Sequence, residues 1–170
     1  MTVKMAGQVI SIIAMALNIS SFQCKRNRNL FIVMGFGSLL FSVSFVMIGA
    51  YPSAVYNIIN LIATCLVVKK SFQTKKCFIL ISILYIIGAI FTYDSLWSIV
   101  PMIAQILATY GMWFGDGAFI RKLRLFIVSP VWLINNTGFA FNIGGIICEV
   151  FMMVSAIVSF IRYRKTGFEK

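Results

Sequence analysis

The chain has 170 residues, of which 61% are apolar, and it carries 15 basic residues, 4 acidic residues and no histidine. A soluble domain has roughly a quarter charged residues because its surface faces water, whereas this chain has 11%. The composition therefore excludes a soluble globular domain, and the absence of histidine excludes catalytic schemes that need an imidazole.

Seven apolar segments are candidates for membrane-spanning helices, which need roughly 17–25 residues, although the third and fourth are short. In chain order they are Ala6–Gln23, Phe31–Ala50, Ser53–Val68, Cys77–Phe91, Leu96–Phe114, Leu125–Phe141 and Ile143–Tyr163. Tight corners are predicted at Ala50-Tyr51-Pro52 and at Asn142 with Gly144-Gly145, because proline and glycine favour helix starts and turns. The sequence predicts an all-α membrane protein with seven transmembrane helices in one transmembrane domain, residues 1–170.

The basic residues indicate how these segments are oriented. If all seven segments cross the membrane, 14 of the 15 lie on one face: Lys25, Arg26, Arg28, Lys69, Lys70, Lys75, Lys76, Arg121, Lys122, Arg124, Arg162, Arg164, Lys165 and Lys170. The other face has only Lys4 and Asp94. Cytoplasmic loops carry the excess of Lys and Arg. We therefore predict an amino terminus outside, a cytoplasmic carboxyl terminus and no nucleic-acid partner, since the charges form no single patch.

An internal repeat at a spacing of 95 residues accompanies this pattern. Leu30-Phe31-Ile32-Val33 recurs as Leu125-Phe126-Ile127-Val128, Lys69-Lys70 aligns with Arg164-Lys165, and Gly49-Ala50 aligns with Gly144-Gly145. One extra crossing between two three-helix units restores their orientation, which gives parallel repeats about the membrane normal. The predicted plan is 3+1+3: repeat one about 6–68, a linker helix about 77–91 and repeat two about 96–163.

This plan resembles the SWEET and PQ-loop sugar transporters and the PnuC vitamin transporters. A closer resemblance, over nearly the whole chain, is to the YgjV family of bacterial inner-membrane proteins. The matching residues are Ile48-Gly49-Ala50-Tyr51-Pro52 with Asn60, then Pro101-Met102-Ile103, Trp132, Asn136, the run Ile143-Gly144-Gly145-Ile146-Ile147-Cys148-Glu149, and Ile161-Arg162. The resemblance implies a multi-pass protein of the bacterial inner membrane.

Glu149 is the one acidic residue inside a predicted span, about 9 Å along the seventh helix. An acid at this depth either faces a polar pathway or is a protonated group that bonds to a neighbouring helix as structural glue. Asn60, Gln105, Asn135 and Asn136 have comparable depth and come from both repeats. Transporters place substrate sites between repeats near the midplane. These five residues are therefore the predicted substrate-pathway candidates.

The functional hypothesis is a transporter-like permease for an unidentified small molecule. The alternative is a non-transporting membrane component that assembles with or stabilises a partner protein, with the same polar residues serving as glue. The sequence indicates no catalytic residues, no cofactor and no metal site, because its four cysteines are scattered and three of its four acids lie in predicted loops or the tail. The expected partners are the lipid bilayer and a solute, and a homo-oligomer is compatible with the pattern.

Overall fold

The computed structural model describes residues 2–21, 27–69, 72–115 and 117–163. These residues form seven helices: α1 (Val3–Ser21), α2 (Asn27–Ile48), α3 (Tyr51–Val68), α4 (Lys75–Phe91), α5 (Ile99–Phe114), α6 and α7 (Ile143–Tyr163). Helix α6 has three consecutive parts, namely Gly117–Leu123, a π-helical turn at Arg124–Val128, and Ser129–Gly138. The predicted span end Gln23 and the predicted cytoplasmic residues Lys25, Arg26, Lys70, Arg164, Lys165 and Lys170 lie outside the described residues.

The all-α class is confirmed, and the largest difference from the predicted spans is at α6. Its prediction was residues 125–141, but the helix begins at Gly117 and ends at Gly138. The basic residues Arg121, Lys122 and Arg124 misled the prediction because they resemble a loop cluster. They lie instead on the helix itself, which carries Arg124 about 10 Å beyond its first residue at 1.5 Å per residue.

Large apolar side chains cover the outside of the helices, while the inside combines an apolar core with many small polar side chains. Phe36, Ile90 and Ile161 are 60%, 69% and 73% exposed. Among the buried polar residues are Ser11, Ser38, Ser42, Ser44, Ser53, Thr64, Gln105, Thr109, Ser129, Asn135, Asn136 and Asn142. The apolar exterior and the buried polar groups fit a bilayer, where lipid solvates the apolar surface and polar groups must find partners inside.

Three helices are long enough and apolar enough to cross a bilayer among the described residues. They comprise Val3–Ser20, Tyr51–Val68 and Leu96–Phe114, and two shorter apolar stretches lie at Ile32–Ile48 and Ile143–Val158. Helix α4 has 17 residues and is therefore about 25 Å long, somewhat less than the ~30 Å hydrocarbon core. The helices thus support a membrane protein with several crossings.

The helices pack in an order that follows the chain. Helix α1 contacts α2 and α7, α2 contacts α3, α4 lies against α3 and α5, and α6 contacts α5 and α7. The corner after α2 depends on Gly49, whose φ of 95° is in the left-handed region that favours glycine. The amide N–H groups of Gly49 and Ala50 both donate to the carbonyl oxygen of Phe45, at 3.0 and 2.9 Å, and close the end of α2. Helix α3 then begins with Pro52 in its first turn.

The second corner is built differently, so the repeat alignment of Gly49-Ala50 with Gly144-Gly145 does not extend to the backbone. Gly144 and Gly145 lie inside the first turn of α7, and the left-handed residue of this corner is Phe141, with φ of 47°. The difference arises because Gly144 is needed for close packing. A Cβ at this position would lie 2.5 Å from the Ser11 carbonyl oxygen, so only glycine lets α1 approach this closely.

Polar side chains satisfy the buried start of α7. The first amide N–H groups of a helix have no partner within the helix. Here the N–H of Ile143 donates to Gln8 Oε1 at 2.9 Å, that of Gly144 to Ser11 Oγ at 3.2 Å, and that of Gly145 to Asn142 Oδ1 at 2.9 Å. Two of these acceptors belong to α1, so the capping bonds also fasten the first helix to the last.

Candidate functional site

A polar cavity of about 50 Å³ lies between several helices. We call it the glutamate cavity, and its lining residues are Asn18, Met34, Ser38, Phe41, Phe45, Asn57, Asn60, Gln105, Arg124, Trp132, Asn136, Gly145, Cys148 and Glu149. These residues come from α1, α2, α3, α5, α6 and α7. Of the described helices, only α4 contributes no lining residue.

Helical spacing explains why these residues share one cavity. On α2 the lining positions 34, 38, 41 and 45 recur every three or four residues, which places them on one face. On α7 the positions 145, 148 and 149 follow the same rule. Gly145 leaves room for Asn136, because a Cβ there would lie 2.6 Å from the Asn136 Nδ2 atom.

Four of the five predicted pathway residues meet in the glutamate cavity: Glu149, Asn60, Gln105 and Asn136. The side chain of Asn60 donates to Ser38 Oγ at 3.1 Å, which joins α3 to α2. The indole N–H of Trp132 donates to Gln105 Oε1 at 3.1 Å, which joins α6 to α5. These two amides therefore have structural partners in addition to a position at the cavity wall. Their role in a pathway stays a prediction.

The other two predicted residues present buried oxygen atoms that lack partners. Oε2 of Glu149 and Oδ1 of Asn136 are buried and have no hydrogen-bond partner among the described residues. Asn136 is only 2% exposed. A buried acceptor without a partner costs roughly 1–3 kcal/mol, so its retention calls for an explanation such as a bound water, an ion or a ligand. Both atoms belong to residues that line the same cavity.

Two groups on α6 surround the Glu149 carboxyl. The Arg124 guanidinium acts on it through its charge, and the Ser129 hydroxyl is its other polar neighbour. Ser129 Oγ is buried and makes no hydrogen bond of ordinary geometry with the described residues. Glu149 therefore has a group of opposite charge nearby, but its Oε2 atom has no hydrogen-bond partner among the described residues.

The π-helical turn brings Arg124 and Ser129 to the same side of α6. Residues five apart point about 140° away from each other on an α-helix. In the turn at Arg124–Val128, the N–H of Ser129 donates to the carbonyl oxygen of Arg124, five residues back, so the two residues stack. Pro130 follows directly and has no N–H to donate, which removes one of the bonds that would hold an α-helix here.

The fifth predicted residue, Asn135, lies in a different cavity, of about 250 Å³. We call this the corner cavity because both interhelical corners contribute to it. It is lined by Lys4, Gln8, Ile48, Gly49, Ala50, Pro52, Ser53, Asp94, Ser95, Trp97, Ser98, Asn135, Phe139, Ala140 and Phe141. The amide of Asn135 donates to Ser53 Oγ at 3.0 Å, between α6 and α3. Consecutive helix residues point about 100° apart, so Asn135 and Asn136 face different cavities.

Sequence reasoning missed Asn18, Ser38, Asn57 and Arg124 as lining residues. Arg124 was assigned to a loop, since its helix was predicted to begin one residue later. The three others are small polar residues within apolar helices, and bilayer helices use such residues equally for packing. One signal in the sequence could have indicated part of this lining. Ser38 and Phe45 are seven residues apart and therefore lie on the same face of α2.

An all-helical chain with an apolar exterior, several helices able to cross a bilayer and a polar interior is an integral membrane protein. More specifically, the chain belongs to the Imp-YgjV family, described as bacterial inner membrane protein, whose family model matches residues 5–167. The resemblance stated from the sequence is thereby confirmed, as is the bacterial inner membrane as its location. Neither the curated proteins nor the solved structures contained a match.

Proposed function

We propose that this protein is a transporter-like permease that binds a small solute in the glutamate cavity. The observation that carries the proposal concerns Glu149, which lines a polar cavity and whose buried Oε2 atom has no hydrogen-bond partner among the described residues. Acids within membrane helices face bundle interiors or aqueous cavities and mark pathways for ions or substrates. No catalytic role is assigned to these residues.

The proposed architecture is the 3+1+3 plan with seven crossings. It is supported by the lining of the glutamate cavity, which uses three helices from each predicted repeat and leaves out α4. Sites of this kind lie between repeats, because movement of one repeat against the other then exposes them to each side in turn. The corner cavity is the proposed outer entrance, since exposed residues such as Lys4 and Trp97 line it.

The proposed orientation has the amino terminus outside and the carboxyl terminus in the cytoplasm. We expect a green fluorescent protein fused after Lys170 to fluoresce, because this reporter folds in the cytoplasm, and an alkaline phosphatase fused there to be inactive. Fusions after Asp94 should give the opposite pair of results, since the segment between α4 and α5 would lie outside. Fluorescence after Asp94 would contradict the orientation and the assignment of the corner cavity to the outer face.

The small volume of the glutamate cavity indicates which conformational state of the proposed permease the structure represents. A volume of about 50 Å³ accommodates one or two waters, at roughly 30 Å³ of liquid volume each. Pockets that bind drug-sized ligands have volumes of about 300–1,000 Å³. The proposed state is therefore closed, and a solute enters when the helices separate at the corner cavity. The bond between Asn135 and Ser53 joins α6 to α3 there and would have to break.

The proposal is tested by the thermal stability of the purified protein in detergent against a panel of metabolites. A bound solute at a hundredfold excess over its Kd stabilises by about 2.7 kcal/mol. We expect one class of solute to raise the Tm of the wild type and to have no effect on Glu149→Gln. Uptake of that solute into proteoliposomes should fall by at least about tenfold in the variant.

A matched control is Asp94→Asn, which removes an acid that is exposed and lies at the corner cavity. It should retain most of the thermal shift if the binding site is the glutamate cavity. The alternative function predicts another outcome for the solute panel. If no solute shifts the wild type and Glu149→Gln only melts earlier, the polar interior is structural, and the protein is a membrane component that assembles with a partner.

A further inference from the structure

Two side chains of opposite charge line the glutamate cavity without satisfying each other. Arg124 and Glu149 both contribute to its wall. A guanidinium and a carboxylate that pair directly form parallel N–H···O bonds, which would use both carboxylate oxygens. Oε2 of Glu149 instead has no hydrogen-bond partner among the described residues. The cavity therefore separates a site that attracts a cation from a site that attracts an anion.

We propose that the glutamate cavity binds a small zwitterion, with its ammonium group at Glu149 and Asn136 and its anionic group at Arg124. This inference rests on the proposed permease function and specifies its substrate class. An ammonium group has three N–H donors and no acceptor. Glu149 Oε2 and Asn136 Oδ1 are two buried acceptors without partners among the described residues, and both belong to residues that line the cavity. The Arg124 guanidinium offers a planar set of donors that matches a carboxylate.

The charges of the cavity favour a zwitterion over a simple cation or anion. Arg124 and Glu149 are its two charged lining residues among those described, and their formal charges sum to zero. In the low dielectric of a helix bundle, a simple cation at Glu149 would be repelled by Arg124, and a simple anion at Arg124 would be repelled by Glu149. A zwitterion compensates both charges and adds no net charge to the interior.

The same pair of charge signs lines the corner cavity, where Lys4 and Asp94 contribute to the wall. Asp94 accepts a hydrogen bond from Ser95 Oγ at 3.2 Å, and both charged side chains are exposed. A zwitterion that enters through the corner cavity thus finds compensating charges before it reaches the glutamate cavity. The glutamate cavity is bordered by the bulky side chains of Phe41, Phe45 and Trp132, and its volume of about 50 Å³ favours small solutes. Glycine and β-alanine are among the smallest zwitterions and are therefore the first to test.

The experiment compares probes that carry one charge or both. The full-length protein is purified in detergent, and its Tm is measured with glycine, β-alanine, methylamine, acetate and acetamide. We expect glycine or β-alanine to raise the Tm by several degrees at saturation, while methylamine, acetate and acetamide change it by less than about one degree, since each compensates at most one charge.

Variants then assign the two ends of the solute. Glu149→Gln and Arg124→Gln should each abolish the shift, whereas Glu149→Asp and Arg124→Lys keep the charges and should retain a measurable part of it. Lys122→Gln is the matched control for Arg124, because Lys122 is an exposed basic residue of the same helix. If a glutamine variant does not fold, the probe comparison on the wild type and the charge-retaining variants still decides the outcome.

Three results would overturn the inference. Equal stabilisation by methylamine and glycine would indicate a cation site, and equal stabilisation by acetate would indicate an anion site. Persistence of the glycine shift in both glutamine variants would place the solute elsewhere. The permease proposal fails separately. If no zwitterion binds but another solute raises the Tm of the wild type in a Glu149-dependent manner, the permease proposal stands and only the inference of a zwitterionic substrate is wrong. If no solute of either panel binds, both proposals fail.

Discussion

Replacement of Gly144 by alanine is expected to lower the free energy of unfolding by about 3 kcal/mol, at the upper end of typical overpacking costs. The added Cβ would lie 2.5 Å from the Ser11 carbonyl oxygen and closer still to the Ser11 carbonyl carbon. These are backbone atoms of α1, so no side-chain rotation relieves the contact. Helix α1 must move away, which also weakens the bond from the Gly144 N–H to Ser11 Oγ.

The measurement is the Tm of the purified variant in detergent, with Gly138→Ala as its control. A Cβ at Gly138 meets no atom within 4 Å, so that variant should melt within a degree or two of the wild type. Glycine-to-alanine changes act partly through the unfolded chain, and this control removes that contribution. A Gly144→Ala protein as stable as Gly138→Ala would show that α1 and α7 are farther apart than described here.

Replacement of Asn142 by alanine is expected to destabilise the protein by about 2 kcal/mol, from the loss of a helix cap and of a buried interhelical bond. Asn142 is fully buried, and its Oδ1 accepts the N–H of Gly145 at 2.9 Å. Its Nδ2 donates to Ser44 Oγ at 3.3 Å, which joins the corner before α7 to α2. Alanine provides neither group and leaves the buried Ser44 hydroxyl without this partner.

Asn142→Ser separates the two contributions, because serine is a good N-cap residue but is too short to reach Ser44. We expect its Tm to lie between those of the wild type and Asn142→Ala. Chemical unfolding in mixed detergent micelles gives the corresponding free energies. If Asn142→Ala were indistinguishable from the wild type, the amide N–H groups at the start of α7 would be satisfied by water, and the corner would be open to solvent.

The sequence could indicate which polar residues lie at comparable depth along their helices, whereas their role in a pathway stays a prediction. Glu149, Asn60, Gln105 and Asn136 were selected because their positions are at comparable depths, and they do line one cavity. Depth does not determine which face of a helix turns inward, which is why Asn135 was grouped with them although it bonds to Ser53 at the corner cavity. The orientation of each face depends on contacts with neighbouring helices.

Arg124 shows a second reason why the prediction was incomplete. A basic residue near other basic residues indicates a cytoplasmic loop in a topology argument. The π-helical turn, which forms beside Pro130, instead turns Arg124 toward Glu149. Such a turn depends on one missing N–H and on the packing around it, and the periodicity of apolar residues does not reveal it.

The sequence by itself determined the class of the protein, because the scarcity of charged residues and the length of the apolar segments reflect the solvent that surrounds the folded chain. It also determined the family, through motifs such as the run that ends in Glu149. The tertiary structure alone decided which polar groups share a cavity and which of their atoms lack partners, since these depend on distances between helices far apart in the chain. The hydrophobicity of each residue can be read along the sequence. A cavity lined by several helices, in contrast, forms only when the helices pack and their faces meet.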